Sequence, residues 1–543
     1  MRTSITRSLP LLILSLGVGA FTGCAFEGGS AEWSDPGRYG GSDAGAAPGP
    51  WGAPPMDEAE TPTSEGDAYE AVGTNPFVHA DHDPFSTFAA DVDTASYDIF
   101  VRDAQRGRRP QPDSVRLEEY VNAFDYDYPA PAHDAVVPFL IDLRGAEHPF
   151  RPDIMQLRVG IQAATPPEFE QLPSNLVFLV DSSGSMRSGD KLPLVQEVIL
   201  SSLDQLTTAD TVSIVTYAGS TEVRLAPTRV SDRAAIERAV NGLSARGSTA
   251  GASGIHLAYE QAEAARIEGG FNHVVLMTDG DFNVGISDTE ALVALIEEKR
   301  TTGITLTALG FGSGNLNDAM MERISNSGNG VYSVITSEEH ARRYGSEDIL
   351  HTAHFVAQDM KLQVEFNPDH VLAYRLLGYE NRAIADDDFR NDVVDAGEVG
   401  AGLRVTALYE VVLVGQSIPA PDGAPEVTSG EPIAGDRVIE PSELVRVRVR
   451  WKDRGASAED PAHETWAALT PEELLTPLDP TADADFLWAS SMAAFAEVLK
   501  ENAFGDPAHL ERIAEIIDGQ RAADDDRGRF VTLFESLSLS ATP

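Results

Sequence analysis

Apolar and polar positions follow two main patterns along this chain, and the first of them fills its centre. Between residues 176 and 334, short apolar runs alternate with segments in which apolar residues recur every three or four positions. Such runs are typical of strands buried on both faces, and the longer period is typical of helices. Their alternation predicts an α/β, Rossmann-like fold with a doubly wound parallel sheet. The predicted strands are 176–180, 211–217, 273–278, 304–310 and 330–334, an extended segment follows at 222–227, and the helices are 192–206, 232–243, 252–267, 289–302 and 316–325.

The second pattern is a period of two, and it dominates the segments that flank the centre. Residues 360–366 and 444–451 alternate apolar with polar side chains, which predicts strands with one apolar and one polar face. In the second strand the polar face is basic, with Arg446, Arg448 and Arg450. These arginines have two sets of possible partners, the acidic stretch 386–398 or the acidic neighbours of their own strand. The pattern predicts an antiparallel sandwich that ends in helices. The other predicted elements are helix 112–124, strands 136–143, 155–162, 371–377 and 403–413, and helices 485–502 and 509–520.

The N-terminus is typical of a lipoprotein targeting signal. Arg2 and Arg7 precede the apolar run 9–21, which is too short for an ordinary membrane-spanning helix. The residues that follow resemble a bacterial lipobox ending at Cys24, the only cysteine of the chain. We predict that Cys24 is lipidated and anchors the chain to a membrane; the alternative is ordinary secretion with a free thiol. Because Ala25 is not the Asp that retains many lipoproteins at the inner membrane, we expect the outer membrane in a bacterium with two.

Composition narrows the class of partner. The chain has 86 Asp and Glu against 40 Lys and Arg, which gives a net charge of −46. A chain this acidic repels nucleic acid and favours divalent cations and basic partners, so we expect no nucleic-acid partner. The alternative interpretation is that the acidity only keeps the protein soluble. The segment 24–74 is rich in Gly, Ala, Pro and acidic residues without apolar periodicity, which predicts a disordered tether.

Three predicted loops of the central segment carry oxygen-bearing side chains. Asp181, Ser183 and Ser185 follow the first strand, Thr249 lies in a loop before a helix, and Asp279 follows the strand 273–278. Ligands of open α/β sheets bind at the carboxyl edge of the strands. Carboxylates and hydroxyls are hard oxygen donors, which suit Mg²⁺, Mn²⁺ or Ca²⁺ better than zinc or copper. The first loop alone also fits a serine-rich turn that caps the next helix.

Taken together, these five residues resemble the metal-ion-dependent adhesion site of the von Willebrand factor type A (VWA) domain, over residues 173–348. The resemblance implies that Ser183, Ser185 and Thr249 contact the metal directly, and that Asp181 and Asp279 act directly or through water. It also implies that an Asp or Glu of a protein partner completes the coordination. Mg²⁺ is the expected cation, with Mn²⁺ and Ca²⁺ as alternatives.

The flanking segments are similar to the dedicated N-terminal and C-terminal regions of the YfbK-like family of bacterial VWA lipoproteins. The runs that carry this similarity include Asp91-Val92-Asp93-Thr94-Ala95-Ser96-Tyr97 and Tyr374-Arg375-Leu376-Leu377-Gly378-Tyr379. We expect a mainly β flanking region built from both segments, with C-terminal helices. The predicted organisation is a signal peptide at 1–23, the tether at 24–74, an N-terminal region at 75–172, the VWA domain at 173–348, and a β-rich C-terminal region ending in helices at 349–543.

No catalytic motif accompanies the predicted metal site. The three loops contain no histidine, and His256 and His273 lie on other parts of their elements. The sequence has no HExxH, Gly-x-Ser-x-Gly or Walker motif. We predict a non-enzymatic protein of the cell envelope that binds a protein partner through its metal site. The alternatives are an envelope hydrolase with its chemistry in the flanking regions, and a scaffold in which those regions brace the VWA domain.

Overall fold

A computed structural model describes most of the chain from residue 66 to residue 537. The predicted signal peptide and Cys24 lie outside the described residues. Among the residues that are described, no helix is both long enough and apolar enough to cross a membrane. The internal positions left out of the description are 91–92, 133–134, 165–171, 248–250, 281–288, 351–354, 392–393, 395, 398, 431–437, 455 and 457–459.

The N-terminal part contributes strands and helices that pack on the rest of the molecule. The prediction of one helix over 112–124 was wrong at its start, because Pro112–Ser114 is a separate 3₁₀ turn and Arg116 is extended. The backbone N–H of Arg116 donates to Ser96 Oγ, which itself donates to Ser114 O. These tertiary bonds replace the bonds of a first helical turn. The elements are β1 (Val78–His79), β2 (Phe85–Ala89), α1 (Ala95–Gln105), α2 (Leu117–Asn122), β3 (Phe139–Glu147) and β4 (Met155–Ala163).

The central segment forms a six-stranded sheet in the order β10-β9-β8-β5-β6-β7. The first five strands in that order are parallel, which confirms the α/β fold, and β7 is antiparallel to β6. The sheet is therefore mixed, because residues 218–220 are too short a connection for a parallel crossover. The elements are β5 (Ser174–Asp181), α3 (Leu192–Ser202), β6 (Thr211–Tyr217), β7 (Thr221–Arg229), α4 (Arg233–Asn241), α5 (Gly251–Ala264), β8 (Phe271–Thr278), α6 (Thr289–Thr301), β9 (Ile304–Phe311), α7 (Asp318–Ser327), β10 (Tyr332–Ile335) and α8 (Glu338–Arg343).

The edge of this sheet at β10 is covered by the N-terminal part of the chain. Asp93 accepts a hydrogen bond from the N–H of Tyr332, and Asp98 accepts one from the N–H of Val334. Ala95 and Ile99 of α1 lie in the apolar core on one face of the sheet. An uncovered edge strand exposes unpaired N–H groups, so these two carboxylates satisfy groups that would otherwise be open to further pairing.

The flanking segments together form an antiparallel sandwich. One sheet has the order β1-β12-β14-β4-β3, and the other has the order β13-β11-β15-β16 with β2 paired to β11. Strands from before and after the central domain share both sheets, which confirms the predicted flanking region built from both ends. The C-terminal strands are β11 (Phe355–Phe366), β12 (Val371–Leu377), β13 (Val399–Gly400), β14 (Arg404–Leu413), β15 (Val445–Asp453) and β16 (His463–Leu469).

The polar face of β11 and β15 is also buried. Glu365 and Arg448 are both almost inaccessible and form an ion pair between the two strands. Arg448 also donates to Gln363 at 3.0 Å, and Arg446 pairs with Glu443 at 2.8 Å. Two of the arginines of the basic strand therefore take partners close to it in the sheet, which supports the second of the two alternatives. A period of two gives two faces, but it does not tell whether the polar face meets solvent.

The helices at the C-terminal end pack on the N-terminal helices. Trp488 and Phe495 of the longest helix and Phe530 of the last helix join Phe100 and Phe124 in one aromatic cluster. The cluster joins the beginning and the end of the described chain on one side of the molecule. The helices are α9 (Pro471–Leu474), α10 (Ala484–Lys500), α11 (His509–Asp518) and α12 (Asp525–Ser536).

Candidate metal centre

Two neighbouring strands of the central sheet end in the predicted carboxylates. Asp181 is the last residue of β5, Asp279 directly follows β8, and both side chains are buried. Strand β5 pairs with β6 on one side and β8 on the other, so the strand order reverses at β5. Reversal of this kind opens a crevice at the carboxyl edge, which is where ligands of such sheets bind.

The first loop turns its donors toward one another. The carboxylate of Asp181 accepts a hydrogen bond from the N–H of Ser183 at 2.7 Å and another from the hydroxyl of Thr278 at 3.3 Å. The hydroxyls of Ser183 and Ser185 are hydrogen-bonded to each other and lie 2.8 Å apart. Neighbouring ligands of an octahedral Mg²⁺, each about 2.1 Å from the ion, lie roughly 3.0 Å apart. The spacing of the two hydroxyls therefore fits two adjacent coordination positions.

The second loop is tied to the first by backbone hydrogen bonds. The N–H of Arg246 donates to Ser182 O at 2.7 Å, and the N–H of Gly184 donates to Gly247 O at 3.0 Å. A Cβ on Gly184 would lie 3.3 Å from that same oxygen, so a glycine lets the two loops approach closely. Thr249 lies outside the described residues, and its contact with the metal stays a prediction.

Electrostatics at this edge favour a cation. Burial, with a smaller contribution from the negative charge of Asp279, raises the pKa of Asp181 to about 6, although the hydrogen bonds from Ser183 and Thr278 act in the opposite direction. A divalent cation beside two buried carboxylates offsets both causes of the rise. In the described part of the chain, no group of three or more His, Cys, Asp or Glu side chains is arranged to hold a metal. The candidate centre differs from such a group because half of its described donors are hydroxyls.

A lysine that the sequence analysis did not single out also belongs to the centre. The ammonium of Lys191 lies 2.8 Å from Asp279 Oδ2 and 3.3 Å from Asn315 Oδ1. Only 8% of the Lys191 side chain is exposed. Lys191 is the residue immediately before α3, a position that favours Ser, Thr, Asp or Asn. That local misfit is the signal by which sequence reasoning can find it.

The loop that carries Asn315 is held by the N-terminal segment. Asp67 Oδ1 accepts hydrogen bonds from the N–H groups of Gly314 and Leu316, at 2.6 and 3.0 Å. The other oxygen of Asp67 pairs with the buried Arg102 at 2.8 Å. One carboxylate therefore braces the residues on both sides of Asn315.

These contacts correct the predicted boundary of the tether. The prediction of disorder throughout 24–74 was wrong for residues 66–74, which the structure describes. Ala68 forms an isolated bridge with Asn317, and Asp67 is hydrogen-bonded to the loop beside the centre. Composition indicated disorder because this segment has little apolar surface of its own. Its order depends on hydrogen bonds and an ion pair with distant parts of the chain.

The two histidines nearest in sequence are not part of the centre. His273 is buried near the amino end of β8, where Nδ1 lies 2.6 Å from the Thr305 hydroxyl. His256 lies on α5 and is exposed. A serine acts as a nucleophile when an adjacent base activates it, so the positions of these histidines do not support nucleophilic chemistry at Ser183 or Ser185.

The fold is that of VWA-domain proteins, and family comparisons agree. Residues 175–344 match the family described as "von Willebrand factor type A domain". Residues 63–158 match "von Willebrand factor", and residues 351–539 match "Uncharacterized protein YfbK, C-terminal". VWA domains generally mediate protein–protein interactions and commonly bind a divalent metal. The class therefore supports an interaction or adhesion role and a non-enzymatic module.

Comparison with individual proteins gives the family. The chain is 35% identical over 480 residues to "Uncharacterized protein YfbK" of Escherichia coli strain K12, which covers 86% of this chain and 80% of that protein. The chain belongs to the YfbK family of bacterial VWA proteins. It is also 30% identical over 186 residues to "Uncharacterized protein sll0103" of Synechocystis, covering 34% of this chain and 43% of that protein. A solved structure, von Willebrand factor type A from Catenulispora acidiphila, covers 76% of this chain and 91% of its own, with 17% identity and a TM-score of 0.42.

Proposed function

We propose that this chain is a membrane-anchored protein of the bacterial cell envelope that binds a protein partner through a divalent cation at the candidate metal centre. Mg²⁺ is the proposed cation, with Mn²⁺ and Ca²⁺ as alternatives. Asp181, Ser183, Ser185, Thr249 and Asp279 hold it directly or through water. An Asp or Glu of the partner completes the coordination.

The observation that carries this proposal is the convergence of two hydroxyls beside two buried carboxylates. Ser183 and Ser185 lie 2.8 Å apart next to Asp181, and Asp279 follows the neighbouring strand. Neutral hydroxyls add no negative charge to that of the two carboxylates, so a divalent cation held here is not left with an excess of negative charge around it. An anionic ligand from another molecule can therefore approach the cation at this open sheet edge. Binding is favoured over hydrolysis because none of the described donors is paired with a histidine.

The anchor and the location are part of the same proposal. A lipidated Cys24 with two or more acyl chains would hold the chain stably at a membrane surface, where one chain gives only marginal binding. Ala25 favours the outer membrane in a bacterium with two membranes. Replacement of Cys24 by Ser is expected to move the protein from the membrane fraction of cells to the fraction released without detergent. Unchanged fractionation of the C24S variant would contradict the anchor.

Isothermal titration of the full chain with Mg²⁺, Mn²⁺ and Ca²⁺ tests the metal centre. We expect saturable binding by the wild type and none by Asp181→Asn, which keeps the volume of the side chain and removes its charge. The first loop provides a matched pair of hydroxyl variants. Ser185→Ala removes a proposed ligand and weakens binding, whereas Ser182→Ala removes a hydroxyl that donates to Tyr217 O and leaves binding unchanged.

A capture experiment tests the partner. The wild-type chain is expected to retain an envelope protein in Mg²⁺ and to release it in EDTA, while D181N retains none. Thermal unfolding of D181N serves as the control for folding. Equal capture by D181N in the presence of EDTA would show that the interaction does not use the metal. Absence of metal binding by the wild type would refute the proposed function directly.

A further inference from the structure

Lys191 is built into the candidate metal centre and is not a surface side chain that happens to lie near it. Its ammonium contacts Asp279 and Asn315, and its side chain is 8% exposed. The aliphatic part of the side chain passes over Gly312. A Cβ at Gly312 would lie 2.5 Å from Lys191 Cε and 2.7 Å from Cγ. The backbone of the neighbouring loop therefore leaves room for this lysine.

The local position of Lys191 is unfavourable for a lysine. It occupies the position immediately before the first residue of α3, where the helix dipole disfavours positive charge. Its side chain accepts no hydrogen bond from the first turn, as Ser, Thr, Asp or Asn does at this position. Burial of an ammonium is costly unless a carboxylate pairs with it. The ion pair with Asp279 is the feature of the structure that compensates for the burial of this positive charge.

We infer that Lys191 is a resident cation of the metal centre, which neutralises Asp279 so that a bound divalent ion keeps a net positive charge and selects a carboxylate from its partner. This inference rests on the proposed metal-dependent function and adds a residue to it. Lys191 is a positioning and specificity residue, since its ammonium contacts a proposed ligand of the metal.

The charges at the centre explain what Lys191 changes. The carboxylates of Asp181 and Asp279 and the ammonium of Lys191 together carry one negative charge, so a divalent cation leaves one positive charge. Without the ammonium, the same cation is neutralised by the two carboxylates. Like charges repel strongly at short range in a buried site. Lys191 therefore weakens binding of the metal and strengthens binding of an anionic ligand to the metal-loaded protein.

The test is a Mg²⁺ titration of the full chain at pH 7.5, with Lys191→Met beside the wild type. Methionine keeps the length of the apolar stem and removes the charge. We expect Lys191→Met to bind Mg²⁺ at least roughly tenfold more tightly, which corresponds to about 1.4 kcal/mol. If this variant does not fold, Lys191→Gln is used, because its amide still donates a hydrogen bond and carries no charge.

The chain offers a matched control in Lys361, another buried lysine. Its ammonium lies 3.2 Å from Asp359 and donates to Asn391 O at 2.8 Å, within the sandwich. Lys361→Met removes the same charge and leaves the affinity for Mg²⁺ unchanged. A variant that combines Lys191→Met with Asp181→Asn must bind no metal, which excludes binding at another place.

A second measurement tests selection of the carboxylate. Sodium acetate is titrated into the Mn²⁺-loaded chain, and the loss of water from the metal is followed by water-proton relaxation. We expect acetate to bind at least roughly tenfold more weakly to Lys191→Met than to the wild type. Equal or tighter binding of acetate by the variant would overturn the role in selection.

The outcomes separate this inference from the proposed function. If the wild type binds Mg²⁺ through Asp181 and Lys191→Met binds equally or more weakly, the inference is wrong and the metal centre stands. If only Lys191→Met binds, the inference is supported and the metal-dependent function of the wild type is refuted. If neither protein binds metal, both are refuted.

Discussion

Arg116 offers a sharp test of how the central domain is held against the flanking β domain. Its guanidinium lies 2.5 Å from Asp318, 2.5 Å from Glu322 and 3.4 Å from Glu119. Asp318 and Glu322 belong to α7 of the central domain, whereas Arg116 and Glu119 come from the N-terminal part. All four side chains are at most 8% exposed. Replacement of Arg116 by Met leaves three buried carboxylates without their shared cation.

The expected loss of folding stability follows from the three carboxylates that remain buried without this cation. Removal of one partner of a buried ion pair destabilises a protein by about 3–5 kcal/mol, because the remaining charge stays buried. Burial already raises the pKa of Glu119 well above its usual value, against the opposing effect of Arg116. Glu119 therefore limits the cost by taking up a proton. We expect a loss of about 3–5 kcal/mol for Arg116→Met near pH 7.

The loss of folding stability in Arg116→Met must become smaller as the pH falls. Burial raises the pKa of Glu119 in the folded state and Arg116 opposes that rise, so without Arg116 this pKa lies still further above its value in the unfolded chain. The folded state then binds more protons than the unfolded state, so stability falls as the pH rises between the unfolded and folded pKa of Glu119. Lowering the pH from 7.5 toward 5 favours the protonated form of Glu119 and recovers part of the stability.

The assay is urea unfolding of the full chain at pH 7.5 and pH 5.5, followed by tryptophan fluorescence and circular dichroism. Arg323→Met is the matched control on the same helix α7, since Arg323 forms an exposed pair with Glu290. Exposed pairs contribute about 0–1 kcal/mol. The reasoning is refuted if Arg116→Met loses no more stability than Arg323→Met, or if its loss is as large at pH 5.5 as at pH 7.5.

Three further predictions concern packing, titration and cooperativity. Gly160→Ala is expected to cost about 1–3 kcal/mol in thermal unfolding, because its Cβ would lie 2.5 to 2.9 Å from the buried ring of Tyr128; Gly189→Ala, which meets nothing within 4 Å, is the control. Burial, reinforced by the charge of Arg151, holds the pKa of His148 well below its usual value. The unfolded chain therefore binds a proton that the folded chain does not, and stability falls as the pH drops below about 6.5, by at most about 1.4 kcal/mol per pH unit. His148→Gln should flatten this slope in denaturation measured between pH 5 and 7. Calorimetry should show one unfolding transition for the central and flanking domains, and two separate transitions would contradict the buried contacts between them.

The strands of the central domain were predictable because the apolar pattern that identifies each strand lies within the strand itself. Strands β5, β8 and β9 are buried along their whole length, so their apolar runs identify them without knowledge of their neighbours. The start of α2 was not predictable in this way, because Arg116 is held extended by a bond to Ser96. Tertiary hydrogen bonds override local helix preference at such a position.

The candidate site likewise contains residues that a local motif identifies and residues that only tertiary contacts bring to it. Asp181, Ser183 and Ser185 form one local motif, and their convergence follows from a strand ending at a loop. Lys191 contacts Asp279 of the centre, and Asp67 binds the loop beside it, both through side-chain contacts with loops far away in the sequence, so no periodicity or motif identifies them. The sequence does show that Lys191 is out of place locally, as a lysine directly before a helix, whereas Asp67 is one of several acidic residues in its segment and carries no such signal.

The central domain is inserted into the β domain, and this insertion bears on how the centre is used. The chain leaves the sandwich after β4 and returns to it at β11, while Arg343 and Arg529 form ion pairs between α8 and α12. The buried contacts of Arg116 with Asp318 and Glu322 also join the central domain to the N-terminal part of the chain. In the proposed anchored protein, load on the N-terminal segment reaches Asp67 before it reaches the sandwich, and Asp67 holds the loop that positions Asn315 against Lys191. In that proposed protein, the tether and the metal-bound partner would both act on loops at the carboxyl edge of the central sheet.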